Sequence, residues 1–334
     1  MTATWLVTGG AGFIGANLVH LLRRERPDVR VVVIDKLTYA GNRRYLEDVL
    51  DGERVILEQV DVADEAEVER VFATYQPCGV FHLAAESHVD RSIDGPRPFI
   101  DSNIIGTYVL LEAARRHWLE AGREGRFLHV STDEVYGDLG PNDPAFTEDT
   151  PYKPSSPYSA SKAASDHLAT AWQRTYGLDV VITNCSNNFG PYQYPEKLIP
   201  VIIRNIRDRK PLPLYGDGSN VRDWLFVVDH AEALLTAFEK GVSGRNYNIG
   251  TQNEWQNKPL VELICDIVDR QLGTTSSRSL IEFVKDRPGH DRRYAIDPTR
   301  TQAELGWRPR FDFEEAMELT VAWYLKNLPT MWDA

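Results

Sequence analysis

The chain has 334 residues with 37 basic and 49 acidic side chains, a net charge of −12. That balance excludes nucleic acid as a partner, because phosphate contacts need a basic face, and 42% hydrophobic residues is a globular rather than a disordered composition. No apolar run approaches the ~18 residues of a membrane span, and Cys78, Cys185 and Cys265 suit neither a disulfide framework nor a zinc site, so no membrane, no metal and a reducing cytoplasm are expected.

The length predicts about two domains. Trp5-Leu6-Val7 reads as a first strand and leads through glycines into the apolar-periodic stretch from Phe13 to Arg24. Further short apolar runs follow at 31–34, 55–57, 80–83, 127–130 and 179–183, separated by helix-like segments. Strands buried on both faces and alternating with helices mean βαβ units and a doubly wound parallel sheet, the α/β Rossmann arrangement. The segments from Asp223 to Glu239 and from Asn246 to Gly250 read as further strand, helix and strand of that sheet. Residues 1–185 with 223–250 are then expected to form a nucleotide-binding domain, and 186–222 with 251–334 a smaller C-terminal α/β substrate-binding lobe. Five of the 19 prolines lie from Pro141 to Pro157, which makes that stretch a loop. Ligands of such sheets gather at the carboxyl ends of the strands, so function is sought just after each apolar run.

The first such place is Gly9-Gly10-Ala11-Gly12-Phe13-Ile14-Gly15. A pyrophosphate needs a tight turn, bare backbone and the N–H groups of a following helix. Glycine patterns alone are weak, but here a strand precedes, a helix follows, and Asp35 ends the next strand 20 residues after Gly15. An acidic residue at that spacing bonds a ribose 2′-hydroxyl and repels a 2′-phosphate, which favours NAD over NADP. Neighbouring Lys36 is positioned to soften that discrimination.

Ser155-Ser156-Pro157 looks like a helix start, with a serine cap and proline at the first position. Tyr158 follows, with Lys162 one turn later on the same face, and of the 14 tyrosines only this one has a lysine at that spacing. A tyrosine that accepts a proton near neutral pH needs its pKa lowered, which an adjacent ammonium does. After the strand ending at Ser131-Thr132 comes Asp133-Glu134. The bland reading is a solvated acidic loop. At a strand's carboxyl end the pair is better placed for chemistry, provided the backbone leaves strand geometry, since an extended strand would point the two carboxylates to opposite faces.

Together these residues resemble the extended short-chain dehydrogenase/reductase family, and the Thr-Asp-Glu sequence at 132–134 resembles its sugar-nucleotide dehydratases rather than its 4-epimerases. Leu83-Ala84-Ala85-Glu86-Ser87-His88, Asn184-Cys185-Ser186-Asn187-Asn188 and Pro195-Glu196-Lys197-Leu198-Ile199-Pro200 extend the likeness. The resemblance implies an NAD-dependent hydro-lyase acting on dTDP-glucose in deoxysugar biosynthesis, and a homodimer paired through helices near 103–118 and 157–176. Thr132, Asp133, Glu134, Tyr158 and Lys162 would be the catalytic set. Gly9, Gly12, Phe13, Ile14, Gly15, Asp35, Lys36, Thr38, Asp61, Val62, Leu83, Ala84, Ala85, Ser102 and Asn188 would line the NAD site with Tyr158 and Lys162. Ser87, Asn187, Lys197, Leu198, Pro213, Tyr215, Arg222, Asn257, Arg287 and His290 would join Thr132 on the sugar-nucleotide side. Arginine suits a diphosphate because its planar fork bonds two oxygens at once. A 4-epimerase or a UDP-glucuronate decarboxylase is the nearest alternative, and a nucleotide-binding sensor without turnover the rival from another class. His82, His88 and His129 have no metal-ligand spacing and are expected to be packed or hydrogen-bonded.

Overall fold

The computed structural model describes residues 2–285 and 291–331, with side chains described to residue 328. Seven strands form a parallel sheet: β1 (Thr4–Thr8), β2 (Arg30–Ile34), β3 (Val55–Glu58), β4 (Gly79–His82), β5 (Arg126–Thr132), β6 (Val180–Cys185) and, after three others, β10 (Asn246–Ile249). Their order, β10-β6-β5-β4-β1-β2-β3, reverses direction between β1 and β4, the switch point at which such sheets open a crevice. The expected doubly wound sheet is present.

Both faces of this sheet are buried, as its near-continuous apolar strands require. Val7, Val31, Val33, Phe81 and Leu128 face one apolar layer with the helices Phe13–Glu25 and Val227–Lys240. Their neighbours Leu6, Val32, Val80 and Phe127 face the other, with the helices Glu65–Tyr75 and Gly106–Ala114. The period-2 alternation thus sorts side chains between two cores.

The smaller lobe holds β7 (Asn187–Phe189), β8 (Leu212–Tyr215), β9 (Val221–Phe226), β11 (Glu254–Gln256) and β12 (Ile281–Val284). Here one expectation needs correcting. The strand expected from Asp223 lies not in the first sheet but between β7 and β11 in a three-stranded one. Trp224 and Phe226 pack edge-on or tilted against Phe189 in the smaller lobe's own apolar core, while Leu225 between them reaches the first layer of the large sheet. The following helix and β10 do belong to the large sheet. The chain therefore crosses between lobes several times.

Candidate functional site

A cavity of about 610 Å³ opens where the carboxyl ends of the large sheet meet the smaller lobe. The glycine turn forms one end. Gly9 has φ +68°, a left-handed conformation, and its N–H donates to the Ile34 carbonyl at 2.8 Å. A Cβ on Gly15 would stand 2.2 Å from the Gly9 carbonyl oxygen, so only glycine lets the helix start so close to the turn. Asp35 is nearly buried and accepts N–H bonds from Ala11 at 3.0 Å and Leu37 at 2.8 Å. Its carboxylate therefore stitches the turn to the end of β2. Burial pushes its pKa up, against those two bonds.

Gly9, Gly12, Phe13, Ile14, Gly15, Asp35, Lys36, Thr38, Val62, Leu83, Ala84, Ala85, Ser102 and Asn188 all line this cavity. Asp61 is the exception, standing behind Lys36 with its carboxylate 3.7 Å from Nζ and its Oδ1 accepting from the Ala63 N–H. Lys36 Nζ donates to Ser102 Oγ at 2.7 Å, so its charge is already engaged on the wall.

At the end of β5 the chain leaves the strand at Thr132 and turns into a 3₁₀ helix, Asp133–Tyr136. The tight turn lets Asp133 and Glu134 both line the cavity, which an extended strand would forbid. Asp133 is 1% exposed, and its Oδ2 has no hydrogen-bond partner. Burial first, then the charges of Glu134 and Asp223, push its pKa well above the usual carboxylate range. Burial and the neighbouring negative charges thus favour its acid form.

Ser156 caps the helix Pro157–Tyr176 in a reciprocal capping box with Ser159, and Pro157 sits at its first position, as the sequence predicts. Tyr158 and Lys162 both reach the cavity from this helix. The expected lowering of the Tyr158 pKa is not found. Burial pushes the phenol well up, with Glu134 and Cys185 adding to it, while a hydrogen bond with Thr132 opposes. Lys162 Nζ instead donates to the Val130 carbonyl at 2.9 Å, and burial pulls the ammonium down. Cys185 is buried with its thiol pushed up to about 12, which disfavours the thiolate a nucleophile needs.

Across the cavity stand Ser87, Asn187, Lys197, Leu198, Pro213, Tyr215, Arg222 and Asn257. The side-chain oxygens of Asn187 and Asn257 are buried without partners, as expected of groups kept for a polar ligand. Arg222 is fixed by the Val221 carbonyl at 2.7 Å and the Asp291 carbonyl at 2.9 Å, and lies over the Tyr294 ring. Arg287 and His290 fall outside the described residues. His82 bonds Thr8 and Thr107, and His129 bonds Asp166, each held neutral mainly by burial. No group of three His, Cys, Asp or Glu side chains suited to a metal occurs among the described residues.

Glu196 and Tyr39 on the cavity wall, and the buried Asp166 and Asp223, were not among the expected site residues. Asp166 had a visible signal, since it continues the Tyr158–Lys162 spacing by one more turn. Asp223 had none beyond adjacency to Arg222.

The family model described as GDP-mannose 4,6 dehydratase matches residues 6–320. The chain is 56% identical to the dTDP-glucose 4,6-dehydratase of Neisseria meningitidis serogroup B, over 98% of this chain and 94% of that protein. It is similar to a crystal structure of dTDP-glucose 4,6-dehydratase from Streptomyces venezuelae with NAD and TYD bound: TM-score 0.88, 45% identity, 97% of each chain. The UDP-glucose 4-epimerase of Thermus thermophilus, in complex with NAD, is more distant in sequence, with TM-score 0.85 and 32% identity over 96% of this chain and 99% of that one.

Proposed function

The chain belongs to the dTDP-glucose 4,6-dehydratase family, and from that premise we propose how its own residues dehydrate dTDP-glucose to the 4-keto-6-deoxy sugar. The observation that carries the reading is Asp133, a carboxyl buried beside Glu134 on the turn that ends β5, where burial favours its acid form.

The residues at the glycine turn fit NAD: a close-packed glycine cradle, helix N–H groups and a fixed Asp35 carboxylate. NAD held there would supply the hydride acceptor for the sugar C4 and, once reduced, the donor for C6, so the overall reaction is redox-neutral. Tyr158 takes the proton of the C4 hydroxyl and Thr132 hydrogen-bonds the C4 oxygen. Burial and Glu134 oppose a phenolate there, and Lys162, one turn away, is the cation placed to favour it. Oxidation at C4 makes the C5 hydrogen acidic. Glu134 removes it as a proton, Asp133 protonates the C6 hydroxyl, which leaves as water, and as hydride reaches C6 a proton is returned to C5 from Glu134. The two carboxyls need opposite protonation states, and the deep burial of Asp133 against the partial exposure of Glu134 supplies the difference. Arg222 serves the diphosphate and Asn187, Asn257, Lys197 and Tyr215 the rest of the nucleotide-sugar.

A 4-epimerase has no use for a buried acid next to a second carboxylate. The discriminating experiment is turnover of dTDP-glucose in heavy water without added NAD. Deuterium at C5 of a 4-keto product is expected; an epimerised sugar with C5 hydrogen retained overturns the reading. The homodimer is likewise a proposal, supported by the exposed Tyr108 and Tyr176, which flank Trp172 in edge-to-face contacts on neighbouring helices. Light scattering of the purified protein tests it. A cytoplasmic location is supported by three free cysteines and by the lack, among the described residues, of any helix long and apolar enough to cross a membrane.

A further inference from the structure

Asp166 lies behind the cavity wall and has no part in the reaction sequence above. It sits one turn beyond Lys162 and two beyond Tyr158 on the helix Pro157–Tyr176, and only 1% of it is exposed. A buried carboxylate is costly unless several donors serve it. Asp166 has them: Oδ2 accepts from Ser131 Oγ at 2.8 Å and Tyr152 Oη at 2.9 Å, and Oδ1 from His129 Nε2 at 3.0 Å. The donors come from two parts of the site's frame. Ser131 is in β5 immediately before Thr132, His129 lies earlier in that strand, and Tyr152 belongs to the proline-rich loop. Asn184 of β6 completes the frame by bonding the Thr132 carbonyl at 3.2 Å.

We propose that Asp166 is the positioning residue of this site: through Ser131, His129 and Tyr152 its carboxylate fixes the end of β5 that carries Thr132, Asp133 and Glu134. The inference rests on the dehydratase reading above. The groups that bear on Lys162 are few. Asp166 favours its charged form foremost and Cys185 also does, while burial opposes it. His129 and His82, from β5 and β4, are held neutral partly by the Lys162 charge itself. Tyr158 lies on the same helix face, and Asp133 and Glu134 line the same cavity. Asp166 is thus the buried carboxylate behind Lys162, on the side away from the cavity.

The test compares Asp166→Asn, Ser131→Ala and Tyr152→Phe with the wild type in kcat and in KM for dTDP-glucose. An amide at 166 meets Ser131, Tyr152 and His129 with one accepting oxygen in place of two, so Asp166→Asn should lower kcat about tenfold or more while KM changes by less than about threefold. Ser131→Ala, which removes one tie to β5, should lower kcat by less and leave KM in place. A kcat within about twofold of the wild type in folded Asp166→Asn overturns the proposal. Should that variant fail to fold, Ser131→Ala and Tyr152→Phe carry the test: reduced kcat with KM in place supports the proposal, and unchanged kcat in both overturns it. Wild-type turnover of dTDP-glucose checks the underlying reading separately, so failure of one is distinguishable from failure of the other.

Discussion

Thr132 Oγ1 donates to Asp133 Oδ1 at 3.2 Å, and this is the one hydrogen bond that reaches the Asp133 carboxyl among the described residues. A single neutral donor on one oxygen does little to stabilise a carboxylate in so dry a place. The geometry therefore favours the acid form where a leaving hydroxyl needs a proton.

Replacing Asp133 by Asn keeps the shape and removes that proton source. Product formation should fall about a hundredfold or more, with nucleotide-sugar affinity nearly unchanged, as titration calorimetry can check. In the wild type the acid form is the working one, so kcat should decline as pH rises through the elevated Asp133 pKa.

Asp223 is fully buried, accepts from the Asn253 N–H at 2.9 Å and the Thr251 hydroxyl at 3.2 Å, and keeps its Oδ2 unpartnered. Burial raises its pKa from 3.8 to about 6. A folded-state pKa above the unfolded value stabilises the fold below the unfolded pKa, and that stabilisation is lost as pH rises through the folded pKa. Between those two values the wild type should lose on the order of 3 kcal/mol from this group. Asp223→Asn should flatten that part of the stability curve, read by urea unfolding at pH 4, 5, 6 and 7. An unchanged curve contradicts the assignment.

A methyl group at Gly15 would strike the Gly9 carbonyl and the Gly10 backbone, neither of which can move aside cheaply. Gly15→Ala should cost roughly 1–3 kcal/mol of stability. It should also weaken NAD binding more than tenfold. Thermal melts with and without NAD separate the two effects, since a ligand that binds raises the melting temperature.

Glu196 reaches from the smaller lobe to Arg91 at 3.0 Å and His88 at 3.6 Å, beside the cavity wall formed by His88 and Tyr39. Arg91 also covers the Tyr39 ring, 3.6 Å from its centroid. Exposed ion pairs contribute little to stability, up to about 1 kcal/mol. Glu196→Gln should therefore leave the melting temperature within a few degrees while raising KM several-fold, with a smaller change in kcat.

What the sequence made legible was local. The Gly9–Gly15 turn, the Asp35 spacing and the Ser156-Pro157 helix start each depend on neighbours in the chain, and each is found where expected. The sheet joined by Val221–Phe226 depends on which aromatic side chains meet it in three dimensions, and an apolar run carries no such address. Likewise, the spacing of Tyr158 and Lys162 says that they share a face, but not that the Val130 carbonyl holds the ammonium or that Glu134 bears on the phenol. Electrostatics at this site is set by burial and by residues from other strands, which periodicity does not report.

The repeated crossing between lobes bears on how the molecule assembles. Ile182 of β6 pairs with Asn246 of β10, and the segment between them builds β7, β8 and β9 of the smaller lobe. The large sheet therefore cannot close its edge until most of the chain is available, and a fragment ending near residue 185 would leave β6 unpaired on one side. Such long-range closure makes for slow folding, and the two lobes should melt in one cooperative transition rather than in sequence.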